Sequence, residues 1–184
     1  MAKLVTGTYG EALYELAVEE KKEKEFLSEV TSLIDILKEN PDFSAMMNHP
    51  KLLKEEKAEA LEKVMRGNFS DELTGFMLLV LNKDRYSEID GILEFFVSKM
   101  KEHLKIGTAY VKSAVALKDS QKKEIEQKLL ATTKYETMEI DFETDESLIG
   151  GLIIRIGDRV VDSSIRSKLD KLTRELQDVQ ISNS

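Results

Sequence analysis

Residues that could carry acid–base or metal chemistry are few in this 184-residue chain and lie far apart in sequence. It has two histidines, His49 and His103, and no cysteine, so disulfides and thiolate chemistry are excluded. His49 precedes Pro50 in a predicted turn. His103 lies near the end of a predicted helix, where the helix dipole favours a cation. We interpret both as ordinary structural residues rather than metal ligands.

Paired carboxylates and paired glycines are the other candidates for chemistry. Glu55-Glu56 and Asp145-Glu146 could in principle act as acid–base pairs, but solvated surface or helix capping explains them more simply. Gly150-Gly151 leads into a predicted strand and not into a helix N-terminus, so the usual phosphate cradle is missing. We expect close backbone approach or a bulge at these glycines. The sequence predicts no catalytic residue, no metal site and no cofactor.

The two glycines open a predicted β-hairpin around which the C-terminal part is organised. Strand Leu152–Ile156 is followed by the turn Gly157-Asp158 and a second short strand. A two-residue turn pairs Ile154 with Val161, and it pairs Ile156 with Arg159. Four apolar residues therefore share one side of the hairpin, and we expect that side to be buried: Leu152, Ile154, Ile156 and Val161.

A final helix is expected after the hairpin, with Asp162 and Ser163 as capping residues. Its apolar residues alternate steps of four and three, which is the spacing of a coiled-coil seam: Ile165, Leu169, Leu172, Leu176 and Val179. Two heptads are too few to establish a coiled coil. Packing of this helix on the small sheet and docking of a partner helix both remain open.

The rest of the chain divides by its periodicity. Residues 1–105 show helical spacing throughout, and a helix over 51–65 is expected to turn Leu53, Leu61, Val64 and Met65 inward. Beyond Gly107 we expect a strand over Thr108–Leu117, a helix capped by Asp119 or Ser120, and a half-buried strand. Met138, Ile140 and Phe142 mark the buried side of that strand. The sequence predicts a mainly α protein of two domains, an N-terminal six-helix bundle (1–105) and a small α/β domain (106–184).

Composition limits the classes of partner. The formal net charge is −8, of which −6 falls within residues 1–105, and no basic block is present. Such a chain is a poor nucleic-acid binder, because phosphate binding needs clustered lysine and arginine. No apolar run approaches the roughly 20 residues of a membrane span, and the first ten residues do not look like a secretory signal. We expect a soluble, cytoplasmic protein that meets a membrane only through its partners.

One long ordered pattern carries a family resemblance. The pattern begins with an acidic residue, followed by Ser147-Leu148-Ile149-Gly150-Gly151 and an apolar strand. It continues with Ile156-Gly157-Asp158, then Val-x-Asp-x-Ser, and ends with a basic helix start. This pattern resembles the C-terminal signature of the δ subunit of bacterial rotary ATP synthases, relatives of the mitochondrial oligomycin-sensitivity-conferring protein. Ser163 stands where that family leads us to expect glycine. Thr8–Ala17 and Phe76–Arg85 are also similar to the family, which commonly has alanine in place of Gly10.

The resemblance implies a non-catalytic stator subunit at the cytoplasmic face of the cell membrane. In this family the N-terminal domain grips the N-terminal helix of an α subunit of the catalytic head, using helices one and five. The positions implied here are Tyr9, Leu13, Leu16, Ala17, Phe76, Leu79 and Val80. The C-terminal domain is implied to dock the C-terminal helices of the b stalk. The residues implied for that contact are Ile165, Leu169, Leu172 and Leu176.

From the residues alone, the helix over Leu73–Leu81 is apolar on every side, so it either fills the core or fills the core and also lines a groove. Two other functions are weighed against the stator subunit. One is a helix-binding adaptor of an unrelated assembly, which co-purification with ATP synthase parts would distinguish. The other is an acid–base enzyme, which turnover by the isolated protein would support.

Overall fold

A computed structural model describes residues 2–165 and residue 169. The chain divides into two compact units, Met1–His103 and Leu104–Ser184, which we call the first and second units. The described part is mainly helical with a small four-stranded sheet. This agrees with the expected mainly α class with an α/β part. The division falls two residues before the boundary predicted from the sequence.

The first unit is built from helices. Their bounds are α1 Ala2–Glu19, α2 Glu23–Glu39, α3 Pro41–Met47, α4 Lys54–Met65, α5 Asp71–Asn82 and α6 Ile89–His103, with a 3-10 turn at Tyr86–Glu88. Two boundaries have clear local causes. Pro41 stops α2, because the residue before proline avoids the α region, and the Asn40 side chain donates to the Ile36 carbonyl at 2.8 Å. Ser70 caps α5 by accepting from the Leu73 amide at 3.4 Å.

Helix α6 lies at the centre of this unit, packed against α1 and α2. The apolar side of α6 is buried at five positions: Ile89, Ile92, Leu93, Phe96 and Met100. A Cβ added to Gly10 of α1 would lie 2.5 Å from the Phe95 ring and 3.1 Å from the Ile92 carbonyl oxygen. Gly10 therefore lets α1 approach α6 closely, which gives a packing reason for glycine where the family commonly has alanine.

The predicted inward face of α4 is wrong at two of four positions. Leu61 and Met65 are buried, but Leu53 is 63% exposed and Val64 is 38% exposed. Leu53 precedes the first helical residue and has extended backbone, so helical spacing does not govern its direction. Val64 lies to one side of the line that joins Leu61 and Met65, one turn apart on the same face.

The second unit is an α/β layer. Its strands and helix are β1 Ile106–Ser113, α7 Asp119–Thr132, β2 Thr137–Thr144, β3 Leu152–Ile156 and β4 Arg159–Asp162, with a 3-10 turn at Glu146–Leu148. The sheet order is β2-β1-β3-β4; β1 is parallel to β2 and antiparallel to β3. One face packs on α7 around a core of Ala109, Val111, Ile125 and Leu129. Strand β1 ends earlier than predicted, at Ser113, where the Ser113 hydroxyl donates to the Val115 carbonyl at 2.7 Å.

The hairpin has the predicted register. Ile154 pairs with Val161 and Ile156 with Arg159 across the turn at Gly157-Asp158. Leu152, Ile154 and Ile156 pack against the core, as expected. The expected burial of Val161 is wrong, because this residue is 61% exposed. It lies on the edge strand β4, at the opposite side of the sheet from β2, the strand on which α7 packs.

The paired glycines mark a close backbone approach, as the sequence suggested. Gly151 has φ +84°, and a Cβ there would lie 2.4 Å from the Ser163 carbonyl oxygen. The Ser163 amide donates to the Leu152 carbonyl and the Ile165 amide donates to the Gly150 carbonyl, each at 2.9 Å. Ser163 itself does not have a positive φ, so a side chain costs no backbone strain there. Its hydroxyl donates to the Leu152 carbonyl at 2.9 Å.

Candidate partner-binding surfaces

Helix α5 presents one narrow exposed stripe. Six of its residues are buried: Leu73, Thr74, Phe76, Met77, Val80 and Leu81. The exposed positions follow steps of four, four and three, so they lie on a single line along the helix: Asp71, Gly75, Leu79 and Asn82. Leu79 is 47% exposed in the middle of that line. The apolar helix therefore fills the core and still leaves one large apolar side chain at the surface.

Polar contacts fix the start of α5 against α2 and the end of α1. The Glu29 carboxylate accepts from the Ser70 hydroxyl at 2.6 Å and from the Ser70 amide at 3.1 Å. Lys22, just after α1, donates to Glu72 at 2.7 Å. This hydrogen bond raises the pKa of Lys22 and lowers the pKa of Glu72, so both groups stay charged at neutral pH. These contacts fix the first turn of α5, the helix that carries Leu79.

Loss of the Glu29 contact should loosen the start of α5. We expect Glu29→Ala to lower the stability of the first unit by about 2 kcal/mol, because two hydrogen bonds to a partly buried carboxylate disappear. Urea unfolding followed by circular dichroism measures the change. Asp35→Ala, at an exposed position of the same helix, is the control and should change stability by less than about 0.5 kcal/mol. Equal stability of the Glu29 and Asp35 variants would contradict this role.

The seven positions implied for the first unit separate into core and surface. Leu13, Ala17 and Val80 have no exposed surface, and Phe76 is 8% exposed. These four are buried in the core of the free fold, and direct contact with a partner stays a prediction for them. Tyr9 and Leu16 are partly exposed on α1, and Leu79 is exposed on α5. The family resemblance indicated α1 and α5 but did not separate their inner from their outer residues.

Gly75, which the sequence did not point to, belongs to the same exposed line as Leu79. It lies within a helix, and a Cβ there would have no atom within 4 Å. Glycine is unfavourable inside a helix, so a glycine within an apolar helical run was a signal that could have been followed.

The positions implied for the second unit are only partly described. Ile165 is 44% exposed and Leu169 is 48% exposed. Leu172 and Leu176 lie outside the described residues. Asp162 positions the start of this segment, since its carboxylate accepts from the Ser164 amide at 2.9 Å and Ser164 is buried. Gly157 and Asp158 form the exposed hairpin turn, as expected.

The other candidate residues have structural surroundings. The Glu56 carboxylate accepts from the Leu53 amide at 3.2 Å, and Asp145 accepts from the Ser147 amide at 3.0 Å, so both act as local caps. His49 accepts from the Lys51 amide at 3.3 Å. His103 Nδ1 lies 3.0 Å from the Tyr14 hydroxyl. Each of these groups therefore has a structural contact within its own unit.

Comparison with known proteins gives the family. The family model described as "ATP synthase delta (OSCP) subunit" matches residues 5–176. The chain belongs to the ATP synthase delta (OSCP) subunit family. It is a structural, non-catalytic component of the peripheral stalk of ATP synthase, as the sequence resemblance predicted. The alternatives of an adaptor in an unrelated assembly and of an acid–base enzyme are therefore set aside.

Individual relatives agree with this family. The chain is 47% identical to the ATP synthase subunit delta of Lachnoclostridium phytofermentans over 181 residues, which cover 98% of this chain and 100% of that relative. It is 32% identical to the ATP synthase subunit delta of Acetivibrio thermocellus, over 91% of this chain and 94% of that relative. The fold is similar to a chain in the structure of the Toxoplasma gondii mitochondrial ATP synthase hexamer, with a TM-score of 0.72 and 15% identity. That likeness covers 94% of this chain and 97% of the other.

Proposed function

We propose that this chain links the catalytic head of ATP synthase to the membrane-anchored b stalk, with one unit for each partner. The first unit, a bundle of six helices, binds the N-terminal helix of an α subunit between α1 and α5. The second unit binds the C-terminal helices of the b stalk. The observation that carries the proposal is Leu79, a large apolar side chain that is 47% exposed on the exposed line of α5.

Physical reasoning supports an amphipathic helix as the ligand of the first unit. Exposed apolar side chains at helical spacing are the usual anchors for a partner helix. Leu79 on α5 and the partly exposed Tyr9 and Leu16 on α1 supply such anchors. Because the start of α5 is tied to Lys22 in the turn after α1 and to Glu29 of α2, α5 is held in place at its first turn before the partner arrives. Preorganisation of this kind lowers the entropy lost on binding.

A stator needs large contact surfaces and no reactive groups. The head experiences torque from the rotor, and a link of two binding units resists its rotation. For the second unit, Ile165 and Leu169 are each close to half exposed and follow the spacing of a coiled-coil seam.

Among the described residues no helix is both long and apolar enough to cross a membrane. We place the chain at the cytoplasmic face of the cell membrane, held there through the b stalk, with no nucleic-acid partner.

Leu79→Glu tests the proposed contact with the head. We expect the affinity for a synthetic peptide, taken from the N-terminus of the cognate α subunit, to fall by tenfold or more. An apolar anchor is replaced by a carboxylate, and a factor of ten needs only ~1.4 kcal/mol. The variant should stay folded because the site is exposed. Titration calorimetry measures affinity, and circular dichroism measures the melting temperature.

Leu52→Glu is the matched control for this experiment. Leu52 is 37% exposed and lies outside α1 and α5, so its replacement should leave peptide affinity unchanged. Unchanged affinity in a folded Leu79→Glu variant would remove α5 from the interface. Failure of the unmodified protein to bind the peptide would refute the proposed contact as a whole.

A further inference from the structure

Helix α5 contains a glycine whose presence the described structure does not explain. Gly75 lies inside the helix and has no positive φ, so its backbone does not require glycine. A Cβ built at this position meets no atom within 4 Å, so no described neighbour requires the space. Glycine is the least favourable residue inside a helix after proline. The described contacts of the free fold therefore give no reason for glycine at this position.

Gly10 of α1 and Gly91 of α6 provide a contrast. A Cβ at Gly10 would collide with the Phe95 ring at 2.5 Å, and one at Gly91 would touch Thr6 at 3.3 Å. In both cases the missing side chain makes room for a neighbouring helix. Gly75 has the same local geometry but faces outward, on the exposed line of α5 that also contains Leu79, one helical turn away.

We propose that Gly75 is the point at which the partner helix crosses α5 most closely, and that its missing side chain admits one bulky partner residue. The inference rests on the proposed function, because the partner is the helix assigned there to α1 and α5. Interaxial distances between packed helices depend on the size of the side chains at the crossing, so a glycine permits the shortest approach. Leu79 then acts as the apolar anchor, and Gly75 acts as a positioning and specificity-determining residue beside it.

Gly75→Ala separates this role from a purely structural one, because thermal stability and peptide affinity should change in opposite directions. The melting temperature of the free protein should rise by about 4–8 °C, since alanine favours the helix and its methyl group meets no neighbour. Affinity for the same synthetic peptide from the α-subunit terminus should fall about tenfold, because an added methyl in a closely packed contact forces the helices apart.

Gly7→Ala is the matched control. A Cβ at Gly7 also meets no atom within 4 Å, so this variant should gain similar thermal stability. Gly7 is nine residues from Leu16, which is two and a half helical turns, so it faces away from the side of α1 assigned to the partner. Its peptide affinity should match that of the unmodified protein.

A complementary series of peptides identifies the facing residue. Each bulky apolar residue of the peptide is replaced by alanine in turn. One of these replacements should restore part of the affinity that Gly75→Ala has lost, and it should give no such gain with the unmodified protein. If Gly75→Ala binds as tightly as the unmodified protein, the crossing point is wrong, while a loss of binding in Leu79→Glu would still support the proposed function. If neither variant differs from the unmodified protein, both proposals fail.

Discussion

Val111→Asp should unfold the second unit and leave the helical first unit folded. Val111 lies in the middle of β1, is 1% exposed, and pairs with Phe142 on one side and Ile154 on the other. An aspartate there would bury an unpaired charge among apolar side chains, at a cost of at least about 3 kcal/mol. A unit of this size is only marginally stable, so a loss of this magnitude should unfold it. Two-dimensional amide NMR should show loss of the strand resonances while the helical resonances persist.

Tyr110→Asp is the control for that result. Tyr110 is the preceding residue of the same strand, but its side chain points to the other face of the sheet and is 51% exposed. The same charge at this position should leave both units folded. Loss of the helical resonances in Val111→Asp would show that the two units do not fold independently. A fully folded Val111→Asp protein would contradict the described core.

Elements with strong local signals could be predicted from the sequence. The two-residue turn at Gly157-Asp158 sets the register of the hairpin, so the pairing of Ile154 with Val161 follows from chain geometry. The alternation of Met138, Ile140 and Phe142 correctly indicated the half-buried side of β2. The helix boundaries at Pro41 and Ser70 also have local causes, because each of these residues acts on the backbone next to it.

Burial at the edges of elements could not be predicted, because it depends on which neighbour covers a face. Val161 shares a face with Ile154, yet it is exposed on the edge strand while Ile154 packs on the core. Leu13 and Leu16 lie on neighbouring parts of α1, but Leu13 is buried and Leu16 is partly exposed. Helical spacing gives the direction of a side chain relative to its own helix. It contains no information on where the adjacent helices lie.

The same limit applies to the candidate site. The family resemblance indicated α1 and α5 but included core residues such as Val80, which has no exposed surface. It also missed Gly75, since a glycine in an apolar helix has the same sequence signal whether it faces a neighbouring helix or open space. Only the positions of the surrounding atoms distinguish Gly10, which faces Phe95, from Gly75.

Gly151→Ala should be the most damaging single-methyl change in the second unit. Gly151 has φ +84°, which costs a residue with a side chain about 1 kcal/mol or more. The added Cβ would lie 2.4 Å from the Ser163 carbonyl oxygen and 2.8 Å from the Ser164 Cα, which are backbone atoms that no rotamer change can move. Together we expect a loss of about 3 kcal/mol or more in the free energy of unfolding.

Gly157→Ala isolates the steric part of that loss. Gly157 has φ +54° in the hairpin turn, and a Cβ there would meet no atom within 4 Å. Its replacement should therefore cost only the backbone strain, about 1 kcal/mol. Urea unfolding of both variants measures the difference between the two losses. Equal losses would mean that the approach of Ser163 to Gly151 relaxes at little cost.

A functional consequence follows from the same contact. Displacement of Ser163 and Ser164 would break the hydrogen bond from the Ile165 amide to the Gly150 carbonyl, which fixes the start of the segment containing Ile165 and Leu169. If these residues bind the b stalk, Gly151→Ala should weaken pull-down of a C-terminal fragment of the b stalk, and Gly157→Ala should not. Peptide binding by the first unit should remain unchanged in both variants. Retained binding of the b fragment in a Gly151→Ala protein with the expected loss of stability would exclude this segment from the stalk contact.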